Sequence, residues 1–326
     1  MKAIQIDQFG GPEVMKLKEV QDPKLNRDQI LIKVKAAGVN PVDLVFRSGK
    51  HPLVKNIKLP WIPGLDVSGE ILEVGEGVSR FKVGDRVMGI VSWGGYAEKA
   101  VLEERKTAHL PSSYSFAEGA SMPVVLFTAF YALINKGKIK PGQTVLIQAG
   151  AGGVGSMAIQ IAKACHLKVF TTVSSEEKKK YCKDIGADVV INYREESFSE
   201  RCLKETGGKG VDLLIETVAS ENFEEDTKAL KMFGKLVLIG AGTGKNPEGK
   251  ILFPGFYSKD ITLLGMSLFN AGPFFPEMVE LVENLLSTKA IKPLVGKKLP
   301  LNQAPASHEL LAKGTTLGKI VLEIVG

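Results

Sequence analysis

The chain has 326 residues, of which 44% are hydrophobic and 24% charged, and its formal net charge is +6. That length fits two domains of roughly 100–200 residues each, and the composition excludes a disordered or fibrous chain. Lysines and acids are mixed along the sequence, with Lys178, Lys179 and Lys180 the one short basic run, so no nucleic-acid partner is implied.

Residues 1–122 read as short strands cut by Gly, Pro and Asp turns. The alternation Ile4, Gln5, Ile6, Asp7 opens the series. In residues 29–36, Ile30, Ile32, Val34 and Ala36 share one face while Lys33 and Lys35 share the other. Similar runs recur at 67–74, 86–91 and 96–101, with Gly84-Asp85 marking a turn, which predicts a partly open β-barrel or sandwich. The charge-free stretch 119–135 contains Ser121, Pro123 and Thr128 and is shorter than the roughly 20 apolar residues of a membrane span, so it predicts a buried helix.

From about residue 123 the texture changes. Continuous apolar strands are expected at 144–149, 169–173, 189–192, 211–215, 236–240 and 261–268, with helices between most of them, including 175–185 and 222–232. This alternation predicts a parallel sheet covered on both faces. A helix near 275–287 and a last strand at 319–325 complete the chain, and no internal repeat is seen.

Cys165, Cys182 and Cys202 are odd in number and form no Cys-x-x-Cys pair, so a disulfide framework is not expected. His51, His109, His166 and His308 are far apart and none belongs to a His-Glu-x-x-His pattern, so no metal site is predicted. The first residues lack the apolar core of a signal peptide, and a cytoplasmic location is expected.

The sharpest motif is Gly150-Ala151-Gly152-Gly153-Val154-Gly155, which follows the strand expected at 144–149 and opens a helix placing Val154, Ala158, Ile161 and Cys165 on one face. Glycines here permit positive φ and let the backbone approach a pyrophosphate, whose charge is met by the N–H groups and dipole of the helix N-terminus. A P-loop is excluded, because Thr243-Gly244-Lys245 is followed by Asn246 rather than Ser or Thr. About 20 residues past such a turn an NAD enzyme presents Asp or Glu to the adenosine ribose. Here Ser174 and Ser175 end the second strand and Lys178 lies one helical turn on, a set suited to a 2′-phosphate. NADPH is therefore expected rather than NADH, with Glu176 and Glu177 explained by their position at a helix start.

With Gly142-Gln143-x-x-Leu146-x-x-x-Gly150-Ala151-Gly152-Gly153-x-Gly155-x-x-x-x-Gln160-x-x-Lys163, the chain resembles the medium-chain dehydrogenase/reductase superfamily and, within it, the quinone oxidoreductase and zeta-crystallin group. The likeness extends to Ala37-Gly38-Val39-Asn40-Pro41, Pro63-Gly64-Leu65-Asp66-Val67, Gly84-Asp85-Arg86-Val87 and Gly318-Lys319. It implies an α/β architecture: a GroES-like, partly open β-barrel catalytic domain (1–124 and 271–326) and a Rossmann doubly wound parallel-sheet domain for NADPH (125–270). In metal-dependent relatives a catalytic zinc is held where this chain has Asn40, Leu65 and Val124, none a good ligand, which implies zinc-independent chemistry. The resemblance further places Asn40 and Thr128 near the nicotinamide half of the cofactor and Gly152, Gly153 and Val154 at the pyrophosphate. Ser174, Lys178 and Tyr193 fall at the adenosine phosphate, and Gly240 and Phe269 along the nicotinamide side. Relatives carry tyrosines, assigned to the quinone pocket, at the positions of Val45 and His51, and this chain has neither.

Without a metal Lewis acid an isolated ketone is a poor hydride acceptor, whereas a quinone or an α,β-unsaturated carbonyl disperses the arriving charge by conjugation. The expected activity is hydride transfer from NADPH to a quinone, with Asn40 as oxyanion donor, His51 as donor or acid, and the proton drawn largely from water. Two alternatives remain: reduction of an enone or alkenal double bond, and a non-catalytic NADPH-binding protein of crystallin-like or RNA-binding type. Against RNA, no basic stripe interleaved with aromatics is present. A homodimer is implied by resemblance, and the apolar run 261–269 is either an edge strand pairing across a two-fold axis or an interior strand.

Overall fold

In the computed structural model, which describes residues 1–219, 221–239 and 253–325, the first alternating segment forms β1 (Lys2–Gln5), antiparallel to β2 (Lys16–Glu19). The long strand β3 (Gln29–Gly38) buries Ile30, Ile32 and Val34 and turns Lys33 and Lys35 outward, as its period of two requires. It is followed by α1 (Pro41–Arg47), β4 (Asp66–Val74), β5 (Arg86–Ile90), β6 (Lys99–Glu103), β7 (Thr107–His109) and α2 (Phe116–Ala120).

The stretch 119–135, expected as one buried helix, is broken. The first helix, α2, starts on a capping box in which Ser115 Oγ accepts the Glu118 N–H while the Glu118 carboxylate accepts the Ser115 N–H. It stops at Ala120, and a second helix, α3 (Pro123–Phe130), begins on a proline and runs into a wider turn at Tyr131–Lys136. Pro123 has no N–H to give to a preceding turn, so it fits a helix start and not a helix interior.

The second part of the chain alternates β8 (Thr144–Ile147), α4 (Gly153–Ala164), β9 (Lys168–Val173), α5 (Glu176–Asp184), β10 (Val189–Asn192), α6 (Phe198–Glu205) and β11 (Val211–Glu216). It continues with α7 (Phe223–Ala229), β12 (Leu230–Leu238), α8 (Phe253–Tyr257) and β13 (Thr262–Gly265). The strands form one six-stranded sheet in the order β10-β9-β8-β11-β12-β13, every pair parallel. Helix α4 is buried all round from Gly155 to Ala162, which explains why it is apolar on more than one face. The strand order reverses between β8 and β11, and the crevice at the carboxyl ends of these strands is where doubly wound sheets take their ligands.

Three expected boundaries in this sheet move. The helix expected over 222–232 ends at Ala229, because Lys259 Nζ donates to the carbonyls of Thr227, Lys228 and Leu230 at 2.9, 3.0 and 2.7 Å and so caps its last turn. The next strand, β12, consequently starts six residues earlier than the expected 236, and passes through a left-handed Phe233 with φ of 60°. The strand expected at 261–268 is only Thr262–Gly265, and it is an edge.

The chain then adds α9 (Phe275–Ser287), β14 (Val295–Pro300), α10 (Ala304–Lys313) and β15 (Lys319–Glu323). The last strand, β15, lies between β14 and β3, extending a seven-stranded sheet in the order β14-β15-β3-β4-β5-β7, with β6 also on β3. Residues 29–33 of β3 pair with β6 and residues 36–38 with β15, so the sheet curls around β3 into a partly open barrel. Its core includes Ile30, Ile32, Val67, Ile71, Val87, Leu102, Ile320 and Leu322. The chain divides into one unit of Met1–Val124, Phe275–Lys289 and Pro293–Gly326 and another of Val125–Phe274 and Ala290–Lys292. No helix among the described residues is long and apolar enough to cross a membrane.

Candidate functional site

The turn after β8 is built on steric need and not on the torsional freedom expected of its glycines. None of Gly150, Gly152 and Gly155 has a positive φ; the left-handed residue is Ala149, at 54°. A Cβ on Gly150 would meet Thr171 Oγ1 at 2.0 Å, and one on Gly155 would meet the Ala149 carbonyl oxygen at 2.4 Å. Close packing of turn against strand and helix is thus what selects glycine here. Gly150 N–H donates to Thr172 O and Gly152 N–H to Ala149 O, at 3.0 and 2.9 Å, which fixes the loop.

Gly152 caps α4, so Gly153, Val154 and Gly155 are its first three residues, whose N–H groups have no acceptor within the helix. Gly152 is exposed and Ala151, Gly153 and Val154 are half-buried. Backbone donors and the positive helix end together suit an anion.

The second patch lies at the carboxyl end of β9. Ser175 Oγ accepts the Lys178 N–H and caps α5, while Lys178 Nζ donates to Ser174 Oγ at 3.3 Å. Glu176 is drawn to Lys179 Nζ at 3.0 Å. Tyr193, 53% exposed, follows the neighbouring β10, and its N–H donates to Val173 O, so it stands beside the same strand end.

Beneath the turn runs a buried polar chain. Ala149 N–H donates to Thr172 Oγ1, that hydroxyl to Gln148 Oε1, and Gln148 Nε2 to Asp226 Oδ1, at 3.1, 2.6 and 2.9 Å. Glu216, fully buried at the end of β11, accepts the N–H groups of Val218 and Ala219. Burial first, then the Glu216 charge, pushes the Asp226 carboxyl up to about 10, so at neutral pH it is protonated. A raised carboxyl pKa stabilises the fold fully below the unfolded value near 3.9 and loses that contribution as pH rises toward 10. Wild-type stability in urea titrations should therefore fall by about 1.4 kcal/mol per pH unit, about 4 kcal/mol in all, between pH 6 and pH 9, and Asp226→Asn should flatten the fall. An unchanged pH slope in the variant would reject this account.

In the barrel unit, Asn40 caps α1 and is 1% exposed. Its Nδ2 donates to Asp66 Oδ2 at 2.8 Å, and its Oδ1 accepts from Lys319 Nζ at 2.5 Å. Asp66 Oδ1 takes the Val124 N–H at 2.7 Å, and Lys319 Nζ lies 3.5 Å from Asp66 Oδ2. Asp43 Oδ2 accepts the Asn40 N–H and the Tyr96 hydroxyl at 2.9 and 3.0 Å, and His308 Nε2 is 3.2 Å from that hydroxyl. Burial, helped by the Asp66 charge, pushes the Asp43 carboxyl up to about 7, while burial and then Arg47 push His308 down to about 3.

His51 stacks on Phe46 of α1 with centroids 3.8 Å apart, and its Nδ1 accepts the Leu53 N–H. The accepting Nδ1 leaves the proton on Nε2, and burial lowers the pKa, so at neutral pH the ring offers an N–H donor and not an imidazolium acid. Thr128, 5% exposed on α3, and Phe269, 44% exposed in the 3-10 turn after β13, belong to other elements of the sheet unit, and Gly240 lies outside the described residues.

The structure thus gathers the glycine turn, Ser174, Ser175, Lys178 and Tyr193 along adjoining strand ends, and Asn40 and His51 around α1. Sequence reasoning missed Asp43, Asp66, Tyr96, His308, Lys319, Gln148, Glu216 and Asp226. The available signal was a charged residue set against a strand's apolar run, as in Leu65-Asp66-Val67 and Lys319-Ile320-Val321. Among the described residues no group of three His, Cys, Asp or Glu could hold a metal ion.

Residues 26–112 match the alcohol dehydrogenase GroES-like domain family, and residues 153–284 match the zinc-binding dehydrogenase family. The chain is 37% identical to the quinone oxidoreductase of Rattus norvegicus, with 99% of this chain and 97% of that protein covered. It is 36% identical to that of Homo sapiens at the same coverage. Among solved structures, the Escherichia coli quinone oxidoreductase complexed with NADPH superposes with a TM-score of 0.87 at 31% identity, over 99% of this chain and 100% of that one. An NAD-dependent alcohol dehydrogenase superposes with a TM-score of 0.89 at 30% identity over all of both chains.

Proposed function

This chain belongs to the quinone oxidoreductases of the medium-chain dehydrogenase/reductase family, and on that premise we propose that it prefers NADPH to NADH and passes hydride from it to a quinone. The observation that carries the cofactor preference is the end of β9, where Lys178 Nζ and the Ser174 hydroxyl are already joined at the place where an NAD enzyme has a carboxylate. NADPH, when bound, supplies the hydride from its nicotinamide.

The chain's own residues bind and orient. The exposed backbone of Gly152 and the N–H groups of Gly153, Val154 and Gly155 meet the pyrophosphate, and Ser174, Ser175, Lys178 and Tyr193 meet the adenosine phosphate. Gly150, Ala151 and Gly152 hold the turn, and Thr128, Gly240 and Phe269 are assigned to the nicotinamide side. Asn40 donates through Nδ2 to the acceptor oxygen, His51 offers its Nε2–H, and water supplies the proton. A conjugated acceptor spreads the negative charge, so an oriented amide donor serves where an isolated ketone would need a metal.

The test is NADPH oxidation by metal-stripped protein with 9,10-phenanthrenequinone, run beside NADH and beside a simple enone. Turnover with the quinone should survive chelation, and Lys178→Ala should erode the NADPH preference about tenfold, the worth of one charge-assisted contact to phosphate. A preference for NADH would reject the cofactor reading. Faster enone turnover would favour the double-bond reductase, a reading supported by Val45 and His51 standing where tyrosines are implied. Binding without any turnover would favour the non-catalytic alternative. A homodimer belongs to the same proposal: β13 is an open sheet edge, with Leu263 38% exposed. Sedimentation at the single-chain mass would reject it.

A further inference from the structure

The amide of Asn40 is held at both ends. Lys319 Nζ donates to its Oδ1 at 2.5 Å and Asp66 Oδ2 accepts from its Nδ2 at 2.8 Å. All three side chains are buried, Lys319 being 8% and Asp66 0% exposed. Turning the amide over would set oxygen against carboxylate and NH2 against ammonium, so one rotamer is enforced. Folding alone does not call for this, because a buried ion pair gives no more stability than well-packed apolar side chains of similar volume.

A primary amide has two Nδ2 hydrogens, and Asp66 takes one. The ammonium on Oδ1 draws electron density through the amide and strengthens the remaining N–H as a donor. We infer that Lys319, paired with Asp66, is a positioning residue for acceptor reduction: it orients and polarises the Asn40 amide so that its remaining Nδ2 hydrogen meets the acceptor oxygen as hydride arrives. Electrons and atoms balance as two electrons and one hydrogen from the nicotinamide and one proton from water. The inference rests on the reading that Asn40 donates to the acceptor.

The holoenzyme is assayed with NADPH and 9,10-phenanthrenequinone as Lys319→Met, Lys319→Arg, Asn40→Ala and the Asn40→Ala/Lys319→Met double variant. Lys319→Met should lower kcat tenfold or more while the KM for NADPH moves less than twofold, and Lys319→Arg should restore most of the loss. The primary isotope effect with nicotinamide-deuterated NADPH should rise, which a misfolded fraction would not cause. In the Asn40→Ala background Lys319→Met should add nothing. Lys319→Gln, neutral but still a donor to Asn40, guards against a variant that fails to fold and should show the same split. Full kcat in either neutral variant, or losses at Asn40 and Lys319 that multiply, overturns the inference. Full kcat in Asn40→Ala instead sinks the reading beneath it.

Discussion

Replacing Asp66 by alanine should destabilise the protein by about 3–5 kcal/mol, read as a drop in the urea midpoint at unchanged slope. The carboxylate is 0% exposed and serves three donors: Val124 N–H, Asn40 Nδ2 and, at the longer distance, Lys319 Nζ. Removing it strands a buried ammonium and two amide donors. Burial raises the Asp66 pKa and lowers that of Lys319, in each case outweighing the attraction between them. Both shifts favour the neutral forms, so the pair is held against its own desolvation. It follows that Asp66→Leu/Lys319→Met should recover most of the stability lost by Asp66→Ala while remaining catalytically impaired. A double variant as unstable as the single one would contradict this.

Gly155→Val should raise the NADPH dissociation constant about thirtyfold or more, the equivalent of about 2 kcal/mol of overpacking. Its Cβ would lie 2.4 Å from the Ala149 carbonyl oxygen and 2.8 Å from Gly150 Cα, both backbone atoms that cannot swing aside. Opening the turn to admit it pulls on Ala149 and, through Thr172 and Gln148, on Asp226. Thermal stability should therefore fall together with affinity. Gly152→Ala is the informative contrast: at φ of −77° its Cβ meets only the Ala149 carbonyl oxygen, at 3.1 Å. That variant should keep its melting temperature and lose affinity alone, because the proposed function sets the pyrophosphate against the exposed backbone at Gly152. Cofactor quenching of protein fluorescence reads the affinity, and tight binding by Gly155→Val would refute the steric account.

What the sequence revealed was whatever local pattern encodes. The period of two in residues 29–36, the apolar runs of the parallel sheet, the glycine turn and the Ser174-Ser175-Lys178 group all involve residues close in sequence. The limits of helix α9 (Phe275–Ser287) were legible as well, since its apolar face recurs at helical spacing. Partnerships made only by the fold were not legible: Lys319 reaches Asn40 across 279 positions, and Gln148 reaches Asp226 across 78. The early end of helix α7 (Phe223–Ala229) had the same origin, because its cap comes from Lys259, about thirty positions on. The glycine turn lies between strand and helix where it was expected, but positive φ falls on Ala149 and not on the glycines, and that residue's type announces nothing about torsion.

Strand β15 (Lys319–Glu323) sits inside its sheet, between β14 and β3, and not at an edge. During synthesis, then, strand β3 has emerged from the ribosome nearly three hundred residues before its neighbour exists, and Asn40 waits as long for its lysine. The parallel-sheet unit, almost all of it one continuous stretch from Val125 to Phe274, has no such wait and can be folded while the barrel is still incomplete. On the proposed function, a nascent chain can therefore complete its cofactor cradle before Asn40 has its lysine, and a ribosome stalled late should yield a protein able to hold a nicotinamide nucleotide with nothing yet assembled to spend it on.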